Sequence, residues 1–208
     1  MKPRKRAKPN SIRITVNSNI QKLEVPRNST LRHLVEMYQI LCRHNLRENL
    51  EGFKRMDFSK ALETAAMANE SNGKRMAHLH RAPKDKLETA KVELTKKAKE
   101  LARCKNFDDL FSKVEKIVQP IKKLKKMYVY DVALRIGVSN GIWPGKVYLQ
   151  CGALTGARNL FKTWKPDEKV KPAPFDNSVF PGELHCLNAA EIEDFLCIFE
   201  EHLNGVRR

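Results

Sequence analysis

The stretch from Phe107 to Leu160 decides the predicted fold. It reads FDDLFSKVEKIVQPI (107–121), KKLKKM (122–127), YVYDVALRIG (128–137) and VSNGIWPGKVYLQCGALTGARNL (138–160). Apolar residues recur on both sides of the lysine-rich segment with the period of an amphipathic α-helix. They are Leu110, Phe111, Val114, Ile117, Val118 and Ile121 before it, and Val129, Val132, Ala133 and Ile136 after it. This pattern predicts two helices joined by a short turn that carries positive charge.

The composition indicates a folded, strongly basic protein. The 208 residues include 40 lysines and arginines against 24 aspartates and glutamates, for a net charge of +16. Apolar residues make up 41% of the chain, which is enough for a buried core and excludes a disordered protein. The excess of positive charge favours a polyanionic partner, above all nucleic acid. A basic protein without a nucleic-acid role is the alternative.

Hydropathy and cysteine usage bear on the compartment. The chain has no apolar run of about 18 residues, and its first residues lack the apolar core of a secretory signal. The five cysteines are odd in number and form no CxxC pair, which argues against a disulfide framework and a close-spaced zinc or iron–sulfur site. They are Cys42, Cys104, Cys151, Cys186 and Cys197. We therefore expect a cytoplasmic protein with no cofactor, no metal site and no membrane partner.

The first part of the chain differs in character from the rest. Residues 1–10, MKPRKRAKPN, predict a flexible basic tail that attracts phosphates or is simply solvated. Apolar and polar residues alternate in SIRITVNSNIQKLEVP (11–26), which predicts a β-hairpin, and LRHLVEMYQILCRH (31–44) predicts a helix. We assign residues 11–56 to this β-hairpin plus helix, and 57–208 to a helical domain. The expected fold class is mainly α with a short N-terminal β-hairpin.

The remaining segments predict further helices. Asp57 is a capping residue for a helix over 58–67, and Asn106 for the helix that begins at Phe107. The apolar stripe of 84–104 predicts one long helix, and 152–161 another, before an irregular proline-rich segment over 163–182. Asn188 with Glu191 predicts a capping box for the last helix, which Gly205 ends. The acidic residues near that helix predict an acidic outer face: Glu191, Glu193, Asp194, Glu200 and Glu201.

Basic residues outside the turn are further candidates for phosphate contacts. The segment ESNGKRMAHLHRAPKDK (70–86) carries Lys74, Arg75 and Arg81, and the helix over 152–161 carries Arg158. His78 and His80 in the same segment have the residue type of metal ligands. No carboxylate or cysteine stands at a useful spacing from them, so a phosphate-facing or solvated loop is the favoured interpretation.

The order of these elements resembles a known superfamily. Two helices around a turn, then a break, a short segment and a helix resemble the carboxyl-terminal part of the helix-hairpin-helix DNA glycosylases of the endonuclease III and oxoguanine glycosylase type. In that superfamily a Gly-hydrophobic-Gly turn grips a DNA phosphate with its backbone N–H groups. Here Lys123-Leu124-Lys125 stands at the turn, so the apolar residue is kept and both glycines are replaced. Residues 58–204 also resemble small uncharacterised bacterial proteins of this general kind.

The departures from the superfamily bear on catalysis. In this register the lysine of the lyase-competent members falls at Met127, which cannot form a Schiff base. Their aspartate falls within 147–150, VYLQ, which has no aspartate, and the four-cysteine cluster of one branch is missing. The resemblance therefore implies a phosphate grip in which Lys122, Lys123, Lys125 and Lys126 use side-chain charge in place of backbone N–H groups. It does not imply the usual glycosylase or lyase chemistry.

Asp131 is the candidate catalytic residue, and it has a structural alternative. Its carboxylate lies beside Tyr128 and Tyr130, where it would activate water or stabilise a cationic sugar. The alternative, which we favour, is a structural role, either as a cap of a neighbouring helix or in an ion pair with Arg135 one helical turn later. A concave, aromatic-lined pocket beside the basic turn would favour the catalytic role.

Three functions remain open at this point. The first is sequence-independent binding to the phosphate backbone of nucleic acid, with duplex DNA as the expected partner. The second is a divergent DNA glycosylase or another nucleic-acid-modifying enzyme in repair or in defence against foreign DNA, with Asp131 as its carboxylate. The third is an interaction module that docks a protein partner through the N-terminal β-hairpin and the acidic last helix.

Overall fold

A computed structural model describes residues 11–16, 19–26, 29–164, 170 and 173–207. The predicted tail over residues 1–10 lies outside the described residues. As predicted, the chain is mainly helical. The helices are α1 (Leu31–Met37), α2 (Arg43–Lys54), α3 (Phe58–Ala66), α4 (Lys84–Lys96), α5 (Ala98–Ala102), α6 (Phe107–Val118), α7 (Lys126–Ser139), α8 (Cys151–Trp164) and α9 (Ala189–Ile198).

Two short pairs of strands accompany the helices. Strands β1 (Ser11–Val16) and β2 (Asn19–Glu24) are antiparallel, with Ser11 opposite Glu24 and Val16 opposite Asn19. The pair β3 (Val147–Tyr148) and β4 (Pro174–Phe175) was not predicted, because two residues are too few to show alternation. β4 lies in the segment over 163–182 that we expected to be irregular.

Side-chain caps set the starts of several helices, as the sequence predicted. The Asp57 carboxylate accepts a hydrogen bond from the Lys60 N–H at 2.9 Å, and the Asn106 side chain accepts one from the Asp109 N–H at 2.9 Å. Asn188 and Glu191 form the expected capping box at the start of α9. Capping depends on residues three positions apart, so a local pattern is sufficient to find it.

Two predicted helices are interrupted. The helix expected over 31–44 passes through a π-helical turn, Tyr38–Cys42, and then continues as α2 to Lys54. The helix expected over 84–104 divides into α4 and α5 at Lys97, whose backbone has φ −103° and ψ 7°. Neither break contains glycine or proline, so no residue marks it in the sequence.

The chain forms two compact units, and their boundaries differ from the predicted division at residue 57. The central unit is Leu46–Gly145, and the terminal unit combines Met1–Asn45 with Lys146–Arg208. Residues near both ends of the chain pack together in the terminal unit. The Leu31 N–H donates to the Arg207 carbonyl at 3.1 Å, and the Tyr38 and Phe195 rings meet edge-on at 5.8 Å. Contacts between such distant residues leave no local pattern.

Helix α7 is the centre of the central unit. All residues from Tyr128 to Val138 are buried, and α7 packs against α3 and α6. A helix that is apolar on nearly every side must be surrounded by other elements. The Tyr128 hydroxyl donates to the Ala66 carbonyl at 2.7 Å, so its polar atom has a partner in the core.

The core of the terminal unit forms around α8 and α9. Gly156 lies so close to the Leu196 carbonyl that a Cβ atom at this position would overlap it. Phe195 and Phe199 of the α9 region are fully buried in the same cluster. Across the described residues, no helix combines the length and the apolar character needed to cross a membrane.

Candidate functional site

The turn between α6 and α7 presents a compact group of lysines. We call residues 122–126 the basic turn. Lys122, Lys123, Lys125 and Lys126 are all exposed, while Leu124 between them is half-buried. Helix α6 ends at Val118, just before Pro120, which removes a backbone donor and favours the end of the helix there. The sequence predicted this element with its charged residues in place.

Lys123 has a backbone conformation that glycine favours. Its φ is +74°, in the left-handed region that disfavours residues with a Cβ atom by roughly 1–2 kcal/mol. The turn therefore has, at Lys123, a backbone conformation that glycine would adopt more readily.

Helix α7 begins at this turn without a side-chain cap. Lys125 is its N-cap residue, and the Lys125 carbonyl accepts the first helical hydrogen bonds from Tyr128 and Val129. No acidic residue lies in the first turn of α7. The positive end of the helix dipole is thus not neutralised by a local carboxylate, and it adds to the charge of the lysines.

Few of the turn lysines have acidic partners. Lys126 pairs with Glu115 at 3.2 Å, whereas Lys122, Lys123 and Lys125 have no ion pair within the described ranges of the chain. The lysines of α4 differ, because several are matched by carboxylates. These pairs are Lys84–Glu88, Lys86–Asp85, Lys91–Glu63 and Lys96–Glu93. The basic turn is therefore a place where positive charge remains available to a partner.

A groove of about 690 Å³ lies beside the basic turn. Its lining comes from α4, the end of α6 and the turn: Lys86, Thr89, Glu93, Ile117, Pro120, Ile121, Lys122 and Lys123. A pocket beside the turn was one expectation of the enzyme hypothesis, but the lining of this groove contains no aromatic residue. Its apolar wall is aliphatic, so it lacks the rings that would stack on an extruded base.

The other residues that the sequence predicted to contact phosphate lie in different surroundings. Lys74 and Arg81 are exposed in the loop before α4. Arg75 instead donates to the carbonyls of Met67 and Ala82, so its guanidinium holds the loop backbone together. Arg158 lies on α8 in the terminal unit, and its Nε donates to a backbone carbonyl at 3.2 Å.

Asp131 is buried in a network of charged partners. Its Oδ1 accepts from Arg135 Nη1 at 2.7 Å, and its Oδ2 lies 2.8 Å from His78 Nε2. The ion pair with Arg135 is one of the two structural roles that we expected for Asp131 from the sequence. Burial raises the pKa of Asp131, but the charges of Arg135 and His78 outweigh it and hold that pKa below its usual range. Both carboxylate oxygens are occupied by these partners.

His78 is the residue that sequence reasoning did not connect to Asp131. It lies in a short 3₁₀ turn, Ala77–Leu79, and its side chain is 48% exposed. The sequence singled it out only as a loop histidine without a nearby carboxylate. The carboxylate comes from α7, 53 residues later. A half-exposed imidazole oriented by a buried carboxylate is an arrangement that can accept or donate a proton.

A second buried ion pair lies in the terminal unit and corrects one prediction. Glu191 is 1% exposed and accepts from both Arg43 Nε at 2.7 Å and Nη2 at 2.9 Å. Asp194 accepts from the Tyr38 hydroxyl at 3.0 Å. The predicted acidic outer face is therefore wrong for Glu191, which points into the unit because its guanidinium partner is there. Helix α9 also ends at Ile198, before Glu200 and Glu201.

The cysteines show no shared site. All five are free, and Cys42 and Cys104 are buried. Burial and the nearby Asp194 raise the pKa of Cys42 to about 12, so its thiol stays protonated at neutral pH. In the part of the chain that the structure describes, no group of three or more His, Cys, Asp or Glu side chains has an arrangement that could hold a metal ion.

Comparison of the chain with models of protein families, with curated proteins and with solved structures gave no match.

Proposed function

We propose that this protein binds the phosphate backbone of nucleic acid, with duplex DNA as its partner, through the basic turn. The observation that carries the proposal is a set of exposed lysines at the start of α7 for which the described residues provide no acidic partner: Lys122, Lys123 and Lys125. Side-chain charge and the positive end of the helix dipole act at the same place there. A phosphate group is the ligand that both favour.

The burial of most of α7 supports DNA binding that does not depend on the base sequence of the DNA. A helix that reads bases must present several side chains to the major groove. Residues 128–138 of α7 are buried, so only the first turn of this helix is accessible. Contacts made from a helix end reach phosphates, which position a protein on DNA and carry no base identity.

The backbone of the turn supports the helix-hairpin-helix interpretation. Lys123 has the positive φ that a glycine-containing turn would need, and it lies between two helices that pack against each other. In the superfamily that the chain resembles, this turn holds a DNA phosphate. The lysines add charge to the same location, which strengthens the interaction at low salt.

The surroundings of Asp131 favour binding over the usual glycosylase chemistry. Both of its oxygens already have partners inside the protein, so this carboxylate does not face a substrate. The groove beside the turn has no aromatic residue in its lining. Met127 stands where the resemblance places the lyase lysine. These observations support binding without the usual glycosylase or lyase catalysis of that superfamily.

A second candidate function rests on the His78–Asp131 pair. If the protein is an enzyme, His78 is the residue that transfers the proton, and Asp131 orients it. This assigns the catalytic role to His78, the hydrogen-bonded neighbour of Asp131, and not to Asp131 itself. His78→Gln would abolish turnover of any modified or foreign DNA substrate and leave binding to the basic turn intact.

The test of the proposal is a salt titration of binding to a short DNA duplex, followed by fluorescence anisotropy. For the double variant Lys123→Ala/Lys125→Ala we expect affinity to fall about tenfold and the slope of log affinity against log salt to fall by about 2. The matched control is Lys84→Ala/Lys96→Ala, which removes two lysines that already pair with glutamates. Affinity that does not vary with salt would refute the proposal, and equal losses in both double variants would refute the role of the turn.

The third hypothesis, docking of a protein partner through the β-hairpin, gives the opposite result. A protein-docking module keeps its partner in the Lys123→Ala/Lys125→Ala variant, because the lysines of the turn take no part in that contact. Asp131→Asn separates the remaining two hypotheses. A pure binder keeps its DNA affinity in this variant, whereas an enzyme that depends on the His78–Asp131 pair loses turnover.

A further inference from the structure

The lining of the groove beside the basic turn has a cationic part and an aliphatic part, and contact with a phosphate alone would use only the cationic part. One part of its lining is cationic, with Lys122 and Lys123 from the turn and Lys86 from α4. The other part is an aliphatic wall of Ile117, Pro120 and Ile121. A groove with both parts suits a ligand that is anionic at one end and apolar at the other.

The charge of the groove is available to such a ligand. Lys122 and Lys123 have no ion pair among the residues that the structure describes, and Lys86 pairs with Asp85, which does not line the groove. The single carboxylate in the lining, Glu93, pairs with Lys96 at 2.7 Å. The groove therefore has a net positive charge, which excludes a cationic or neutral apolar ligand as its preferred occupant.

The size of the groove limits the occupant to a small group. Its volume of about 690 Å³ lies within the range of about 300–1,000 Å³ that is typical of small-molecule pockets. A nucleotide has the required chemistry, since its phosphate is anionic and its base has a flat apolar face. A base pair inside a duplex does not, because stacking covers the faces of both bases.

We propose that the groove receives one unpaired nucleotide of the bound DNA strand, with its phosphate on Lys122 and Lys123 and its base against the aliphatic wall. This inference rests on the proposed function, because the same lysines hold the backbone. The protein therefore prefers DNA with an overhang or a gap to fully paired DNA.

The polar groups of the groove determine how selective this site is. The Thr89 hydroxyl donates to the Asp85 carbonyl of its own helix at 2.8 Å, and Glu93 is held by Lys96. Both groups already have partners within the protein, so neither is expected to hydrogen-bond to the edge of a base. The aliphatic side chains can contact any base. The preference for an unpaired nucleotide is thus independent of which of the four bases it carries.

The test compares two DNA molecules with the full-length chain. One is a blunt duplex, and the other is a shorter duplex with single-stranded overhangs and the same total number of nucleotides, so that the phosphate count is equal. We expect the chain to bind the overhang DNA about fivefold more tightly. Ile117→Gln replaces part of the aliphatic wall with a polar side chain of similar size and leaves the charge of the groove unchanged. It is expected to reduce this preference, measured as the ratio of the affinities for the two DNA molecules.

A second variant removes positive charge from the groove. Lys86→Gln is expected to reduce the preference about twofold, and Lys84→Gln, which removes an exposed lysine of the same helix outside the groove, is expected to leave it unchanged. Equal affinity of the unmodified chain for both DNA molecules overturns the groove proposal, as does a preference that is unchanged in Ile117→Gln. In those cases salt-dependent binding to the blunt duplex still supports the proposed function. Absence of salt-dependent binding to either DNA overturns both.

Discussion

The basic turn, at the start of α7, and the Asp131–Arg135 ion pair, within α7, use charge in opposite ways. At the start of α7 the charges are exposed, alike in sign and mostly without partners. Within α7, at Asp131, they are buried, opposite in sign and joined at 2.7 Å. Exposed like charges are tolerated because water screens them, whereas a buried charge persists only with a partner. Solvent access therefore divides α7 into a part suited to binding and a part that contributes to stability.

The largest expected effect comes from breaking the buried ion pair. Arg135→Leu leaves the Asp131 carboxylate in the core with only His78 as a charged partner, and we expect the free energy of unfolding to fall by about 4 kcal/mol. Urea denaturation followed by circular dichroism measures this change. The control is Lys126→Leu on the same helix, which removes an exposed charge and is expected to change stability by less than about 0.5 kcal/mol. Similar losses in the two variants would remove the distinction between the two parts of α7.

Asp131→Asn is a milder test of the same pair. Asparagine keeps the shape of the side chain but removes its charge, so we expect a loss of about 2 kcal/mol at pH 7. Because the pKa of Asp131 is lowered by folding, its ionised form stabilises the protein above the unfolded-state pKa of about 3.9. That contribution is lost as the pH falls through the lower, folded-state pKa.

The pH dependence of the Asp131→Asn effect follows from the lowered pKa of Asp131 in the folded protein. The difference in unfolding free energy between the unmodified chain and the variant is expected to be retained at pH 5 and to narrow below about pH 4. Denaturation curves at a series of pH values measure it. A difference that narrows between pH 7 and pH 5 would show that Asp131 is not held ionised by its partners.

A smaller effect of opposite sign is expected in the basic turn. Lys123→Gly removes the side chain from a position with φ +74°, so we expect the protein to gain about 1 kcal/mol of stability and to lose DNA affinity. The control is Lys122→Gly, whose backbone has no positive φ. It is expected to lose affinity without the gain in stability. Thermal melting and anisotropy report the two quantities separately, and a destabilising Lys123→Gly would contradict the glycine-like turn.

The smallest expected effect concerns the one turn lysine that has a partner. Glu115→Gln frees Lys126 and is expected to raise affinity for duplex DNA about twofold at low salt. Glu88→Gln frees Lys84 on α4 instead and serves as the control. If both substitutions raise affinity equally, the DNA responds to the total charge of the protein and not to the basic turn.

Local patterns in the sequence accounted for much of the helical architecture. Asp57, Asn106 and the Asn188–Glu191 box were identified as caps, because capping involves residues only three positions apart. The i, i+4 spacing likewise identified the Asp131–Arg135 ion pair. Breaks at Tyr38–Cys42 and Lys97 could not be predicted, since neither contains a residue that ends a helix by itself.

Only part of the candidate site could be predicted, because the sequence shows local patterns and not contacts between distant residues. The lysines of the basic turn lie within five consecutive residues between two predicted helices, so their exposure followed from the local pattern. Their groove was not visible, because Lys86 and Thr89 reach it from α4, some thirty residues earlier in the chain. His78 was separated from Asp131 by 53 residues, and only the packing of its loop brings the two side chains together.

The sequence by itself determined the helices, their caps and the place where positive charge collects, because each depends on neighbouring residues. Only the tertiary structure decided which charges are free. In the folded chain Glu191 is buried against Arg43, and both carboxylate oxygens of Asp131 have partners. Lys122, Lys123 and Lys125 are exposed at the start of α7. The physical reason is that the effect of a charge depends on solvent access and on partners, and both are set by residues far away in the chain.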